Sequence, residues 1–439
     1  MSIEINIYLV IIFNIAVLGL GYLFLYIKGF RKHILFAFSW VIFTIYYFIT
    51  PLYFYSIDRK TIWGDSYSFY GVGEIVTDYY DDGFLFFGLA HLFFFLGYFF
   101  VTAKTTIKSF DSHVFKKNRI VLITVLCFLI VYFNFAYTGI SPLDVLLGIS
   151  EESLFGAVGE SNYLRNFADS LITCLIICVF VKVDKRFIYI MSFVSFVLFL
   201  LMGFRYRIII CLLGFILLYL FKTKIEIKKV IKPMILFSFI MYFILFITVN
   251  RYNLILGKFD QLESNPIKFE VGLLLAEQTR GALDDITIIK YYDSHINAKH
   301  DYGLTFLFFA IRALPRSIFG DWKDQIYPPP AFPIINEAYN LPAAYENTGE
   351  APLHYAYFII AGGLFFLLIG SFFIGVILRY ISINRHYNFP KDKIFLIIIC
   401  MALFQLYTRG YFPQFVDHLF FLLIPYWLYF GWSQRNHIA

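Results

Sequence analysis

Between Tyr252 and Pro352 the chain gathers residue types that can move protons and hold anions. Glu277, Arg280 and Asp284 are spaced i, i+3, i+7, which puts them on one face of a predicted helix running to about Tyr292. A carboxylate beside a cation can activate a hydroxyl while the cation holds developing charge, although the same spacing also makes a salt-bridged solvent face. Leu304 to Leu314 is strongly apolar, with Arg312 and Arg316 one turn apart at its end. That is the pattern of an interfacial helix whose guanidiniums either clamp a diphosphate or attract anionic lipid. Pro315 and the turn Gly320-Asp321-Trp322-Lys323 end it. Trp322 and the prolines 328–330 then form a rigid, extended aromatic edge of the kind on which sugars stack. Glu350 precedes His354 by four residues, a spacing that lets a carboxylate orient an imidazole; a lone interfacial His is more often structural.

Further candidates lie in the apolar parts of the chain. Arg205 and Arg207 follow Gly203 between two apolar runs, about 200° apart on a helix, so only one of them is expected to face the bundle interior. An arginine in such a place meets an anion or snorkels to lipid head groups. Arg409-Gly410-Tyr411 and Asp417-His418 mark the turn of the last hairpin. His91 falls inside an apolar run and is expected to be a hydrogen-bonded core residue. The five cysteines also lie in apolar runs and are expected to pack rather than pair, and no cluster has metal-ligand spacing. There is no P-loop, nucleotide fingerprint, His-x-x-x-His pair or GxSxG, so any energy for a reaction comes from the substrate.

The elements that must position these residues are membrane helices. Of 439 residues 60% are hydrophobic, 22% aromatic and only 15% charged, a balance no soluble fold can bury. Apolar runs occur near 6–27, 34–55, 84–102, 120–137, 167–181, 187–204, 208–221, 234–250, 353–378, 394–408 and 415–432. The expected fold is an all-α polytopic membrane protein of about 11 transmembrane helices. It divides into N-terminal membrane helices (1–251), one large polar loop (252–352) and C-terminal membrane helices (353–439).

Charge sets the orientation. Alternate connections, including 104–119, 222–232 and 379–393, carry more than half of the 36 Lys and Arg. Basic residues stay cytoplasmic, so the N-terminus is expected outside, the C-terminus inside and the large loop extracytoplasmic. Only Asp111, Asp184, Glu226 and Asp392 of the 30 acidic residues fall on the cytoplasmic side. The outer acidic excess either solvates loops or binds a hydroxyl-rich substrate.

One large outer loop late in the chain, Gly203-x-Arg205, Tyr302-Gly303 followed by Leu314-Pro315-Arg316 and Lys323, and Thr348-Gly349-Glu350 followed by His354-Tyr355 and Gly362-Gly363 together resemble the Wzy-type O-antigen or oligosaccharide repeat-unit polymerases. The related lipid A-core O-antigen ligases share a similar arginine and histidine pattern. The resemblance implies a membrane-embedded glycosyltransferase of GT-C type in the bacterial inner membrane, with its N-terminus periplasmic and its C-terminus cytoplasmic. The substrate it implies is an undecaprenyl-diphosphate-linked oligosaccharide, used without nucleotide, metal or other cofactor. Membrane lipids, a chain-length regulator and a flippase are the implied partners, and nucleic acid is not among them. On this reading Arg205, Arg280, Arg312, Arg316 and Arg409 hold the diphosphate, and Trp322 and Lys323 hold sugar. The catalytic set is Glu277, Asp284, Glu350 and His354. A ligase is the alternative among enzymes, and a flippase, transporter or non-catalytic assembly partner is the alternative outside them.

Overall fold

The computed structural model describes residues 6–56, 79–102, 116–137, 162–201, 205–222, 279–295, 298–313, 352–385 and 387–431, with isolated positions 242, 246 and 334. Every regular element among the described residues is helical. In chain order these are α1 (Ile7–Lys28), α2 (Ile34–Ser56), α3 (Tyr80–Phe100), α4 (Lys117–Tyr137), α5 (Asn162–Val181) and α6 (Lys185–Leu201). They continue as α7 (Arg205–Lys222), α8 (Gly281–Ser294), α9 (Leu304–Ala313), α10 (His354–Asn384), α11 (Pro390–Arg409) and α12 (Phe412–Tyr426). Five described stretches are long and apolar enough to cross a membrane: α1, α2, α3, Lys117–Asn134 and α10; Asn166–Val181 and Tyr206–Phe221 are shorter apolar helices. The apolar run at 234–250 lies outside the described residues, its two isolated positions excepted.

The described residues form two compact units interleaved along the chain. The first holds α1, α2, α3, α8, α9, α10 and the turn between α11 and α12. Its centre is aromatic: Trp40, Phe43, Tyr47, Phe87, Phe94, Tyr98 and Tyr355 are all fully buried. Trp40 donates its indole N–H to Leu18 O (2.9 Å) across α1, where a side chain at Gly21 would strike the indole. Asn14 donates to Phe84 O (2.8 Å), tying α1 to α3 by a buried amide. In α3 and α10 the backbones come into contact, because Cβ atoms at Gly97 and Gly375 would run into Phe372 O and Phe94 O respectively. Small residues at such a crossing are how membrane helices gain packing contact without a hydrophobic driving force.

The second unit holds α4 to α7, the start of α11 and most of α12. Cys127, Cys174 and Cys178 pack in its core, with Thr124 Oγ1 against Cys178 Sγ (3.5 Å); all five cysteines are free thiols. Pro425 lies inside α12 and has no N–H for the carbonyl four residues back. That carbonyl, Phe421 O, instead accepts from the Ser170 hydroxyl of α5 at 2.6 Å. A wide π turn, Trp427–Gly431, follows the proline, as another, Thr44–Ile49, precedes Pro51 in α2.

Candidate functional site

In the first unit the site is built at the start of α10, which has no side-chain cap of its own because Leu353 occupies the N-cap position. Asp285 of α8 supplies the cap from elsewhere in the chain. Its two oxygens accept the N–H groups of Leu353 (2.7 Å) and Ala356 (3.3 Å), donors that a helix start leaves without partners. Tyr47 of α2 stands beside the same carboxyl, and its oxygen meets His354 Nδ1 at 2.9 Å. A carboxyl, a phenol and an imidazole thus stand in line. Burial holds the Asp285 carboxyl well above the usual carboxylate range, with the neighbouring Asp284 adding to the shift and the N–H donors opposing it. His354 packs against the rings of Tyr355 (4.3 Å), Tyr407 (4.8 Å) and Phe43 (5.7 Å), and its Nε2 has no hydrogen-bond partner.

The helix that carries His354 is short. At Gly362 and Gly363 the backbone leaves helical geometry, and φ at Gly363 is 65°, so α10 consists of a buried half-helix 354–361 and a long arm. The carbonyl freed at Ile360 accepts from Asp301 N (3.1 Å) and His300 Nδ1 (3.2 Å). Asp301 also caps α9 through Gly303 N, Thr305 N and the Thr305 hydroxyl. The turn Arg409-Gly410-Tyr411 lies against the other end of the half-helix, where Gly410 touches the Pro352–Leu353 backbone so closely that a Cβ would not fit. Arg409 is exposed there.

Several expectations are corrected by this geometry. α8 starts at Gly281, so Arg280 stands half-buried at its N-cap rather than on a helical face with Asp284, and Glu277 lies outside the described residues. The helix is no solvent-facing surface: Ala282 through Ile289 are buried, Asp284 and Asp285 included, because α8 seats on α2, α3 and α10. His354 Nδ1 meets Tyr47, and Glu350, expected to orient that imidazole, lies outside the described residues. His91 is stacked on Phe43 (5.1 Å), and neither of its ring nitrogens has a hydrogen-bond partner. Arg205 and Arg312 are helical, but their side chains fall outside what is described, as do Arg316, Trp322 and Lys323 altogether.

The second unit contains a cluster that joins Arg207 and His418 through Asp169, a residue that no motif marks. Arg207, near the start of α7, turns inward, and the anion it meets is a protein carboxylate. Its Nε donates to Asp169 Oδ1 of α5 at 2.6 Å. The other oxygen, Asp169 Oδ2, meets His418 Nδ1 of α12 at 2.9 Å. All three side chains are 1–3% exposed. His418 Nε2 has no hydrogen-bond partner, and the Tyr206 ring stands beside both His418 (6.2 Å) and the Arg207 guanidinium (5.1 Å). A lone aspartate in the apolar run 167–181 is the signal that points to this cluster, since an ionisable residue there is costly without a partner. Among the described residues no group of three or more His, Cys, Asp or Glu could hold a metal ion.

Helical structure throughout the described residues, together with the apolar composition, defines a protein built for a membrane, with the buried acid–imidazole pair Asp169–His418 inside it. No family model, curated protein or solved structure matches the chain.

Proposed function

We propose that the chain is a polymerase that joins undecaprenyl-diphosphate-linked oligosaccharide units, with about 11 transmembrane helices in a GT-C-like arrangement. On this reading it lies in the bacterial inner membrane with its N-terminus and large loop periplasmic and its C-terminus cytoplasmic. A hydroxyl of one lipid-linked unit attacks the anomeric carbon of the chain on its own carrier, and undecaprenyl diphosphate leaves. Arginines do the work a metal does elsewhere, because a guanidinium stays charged and matches phosphate through paired N–H donors. Arg205, Arg280, Arg312, Arg316 and Arg409 are the proposed diphosphate holders. Glu277, Asp284, Glu350 and His354 are the proposed acid–base set, and Trp322 and Lys323 the proposed sugar contacts.

The observation that supports this reading best is the seating of α8. A segment from the polar loop packs on apolar helices and supplies the carboxyl that caps the half-helix bearing His354. Arg280 opens the same segment, and the Arg409 turn abuts the same half-helix. A buried carboxyl from the polar loop against apolar helices supports a reading in which a lipid-linked sugar is handled there.

A flippase is the second reading, and the break at Gly362–Gly363 favours it, since interrupted helices line transport paths in many carriers. Deleting the gene from its host separates the two. A polymerase predicts loss of long chains with single repeat units still reaching the lipid A-core. Loss of every attached repeat would mean a ligase or flippase and would overturn the polymerase.

A further inference from the structure

Lys28 closes α1, and Gly29, with φ 85°, turns the chain so that Lys32 and His33 follow in a short connection before α2. Arg379 reaches the same place from the arm of α10. Its Nε donates to Val101 O (3.4 Å), just past the end of α3, and its Nη1 donates to His33 Nδ1 (3.3 Å). The guanidinium also lies 5.3 Å from the centre of the Tyr98 ring, and the Tyr98 hydroxyl is 2.9 Å from His33 Nδ1. A guanidinium has five N–H donors, of which the bonds to Val101 and His33 use two. Burial, and then the charges of Arg379, Lys32 and Lys28, push the His33 imidazole down to about 4, and no carboxylate offsets them. Among the described residues no carboxylate pairs with Lys28, Lys32 or Arg379. Like charges gathered in this way repel one another, and an anion among them would relieve it. Exposed apolar side chains adjoin the three cations: Tyr26 and Ile27 on α1, Phe100 on α3 and Tyr380 on α10.

We propose that Lys28, Lys32 and Arg379 bind the phosphate of an anionic phospholipid, whose acyl chains lie against the apolar side chains beside them. The two lysines are exposed and bring charge on flexible stems. Arg379 brings N–H donors already fixed in place by Val101 and His33, which is what separates this cluster from a solvated pair of surface lysines. A phosphate here neutralises three cations at once, as headgroups do in basic pockets between helix ends. A soluble anion would meet the same cations but leave Tyr26, Ile27, Phe100 and Tyr380 uncovered, which favours a lipid. Through one headgroup the end of α1 is tied to the arm of α10, so an occupied site stabilises the first unit.

The test uses the full-length protein in neutral detergent, with single-lipid adducts followed by native mass spectrometry as dioleoylphosphatidylglycerol is added. The wild type should bind this lipid at least ~10-fold more tightly than dioleoylphosphatidylcholine, and only the former should raise the melting temperature. Lys28→Gln combined with Lys32→Gln removes two exposed charges and should weaken binding at least ~10-fold. Lys116→Gln combined with Lys117→Gln makes the same charge change at the start of α4 and should leave affinity within about twofold. Arg379→Gln should weaken binding as well; if that variant does not fold, the pair at 28 and 32 decides. Affinity unchanged by the pair at 28 and 32, or lost equally with the pair at 116 and 117, overturns the site. Phosphatidylcholine bound as tightly, or inorganic phosphate that displaces the lipid at equal concentration, overturns the anionic phospholipid as its occupant.

Discussion

Asp285 and Leu353 are sixty-eight residues apart in sequence, and the carboxyl of one accepts the backbone N–H of the other at 2.7 Å. The half-helix that carries His354 therefore owes its N-terminal cap to a segment of the polar loop. Asp285→Ala leaves two buried N–H groups without an acceptor and should cost about 2–4 kcal/mol, the sum of a lost cap and the desolvated donors. Urea or thermal unfolding in nanodiscs measures it, and a loss below ~0.5 kcal/mol would show that the cap is dispensable.

The same carboxyl makes stability depend on pH. Its folded-state value is raised above the ordinary 3.8, so the folded protein binds the proton more tightly than the unfolded chain. Its contribution is complete below that ordinary value and is lost as pH climbs toward the raised one. Melting temperature should therefore fall as pH rises from about 4, and Asp285→Asn should flatten that slope. Identical slopes in the two proteins would remove Asp285 as the cause.

Gly97 and Gly375 set the approach of α3 to α10, because added Cβ atoms would meet backbone that cannot turn aside. Alanine at either position should destabilise by about 1–3 kcal/mol, the range for an overfilled core. Gly19, whose Cβ would meet nothing, is the control and should tolerate alanine.

The pair Arg207–Asp169 is buried, so removing one partner strands the other. Asp169→Ala should cost about 3–5 kcal/mol, whereas Asp169→Leu combined with Arg207→Met should recover most of that. A double-mutant cycle measures the coupling, and additive single effects would mean the two side chains do not depend on each other.

If guanidinium forks hold a diphosphate in the transition state, then Arg→Lys at 205, 280, 312, 316 and 409 should each cost at least ~2 kcal/mol, roughly thirtyfold in rate. If these residues only anchor helices to anionic lipid, lysine should serve nearly as well. Near-normal chain length in all five variants, at matched expression, would sink the diphosphate assignment.

Hydropathy makes the long helices legible, since a membrane-length apolar run has few other ways to satisfy its backbone. α1 to α4 fall within a few residues of the runs that announce them, and Leu304–Ala313 is likewise visible from its apolar pattern. The burial of α8 was hidden because Asp284 and Asp285 read as solvent-facing. The carboxyl of Asp285 is accommodated by the start of α10, with Tyr47 beside it, partners that no local pattern reveals. Asp169 was the reverse case. A single carboxylate among apolar residues announces a buried partner, but neither Arg207 nor His418 could be named as that partner until α5, α7 and α12 were packed together.

The break at Gly362–Gly363 has a consequence for how order spreads through the first unit. Residues 354–361 are held at one end by Asp285 and at the other by His300 and Asp301, all from the polar loop, while two glycines separate them from the long arm of α10. In amide exchange this half-helix should therefore open together with residues 281–301, as one cooperative piece, and not with the apolar span to which it is covalently joined.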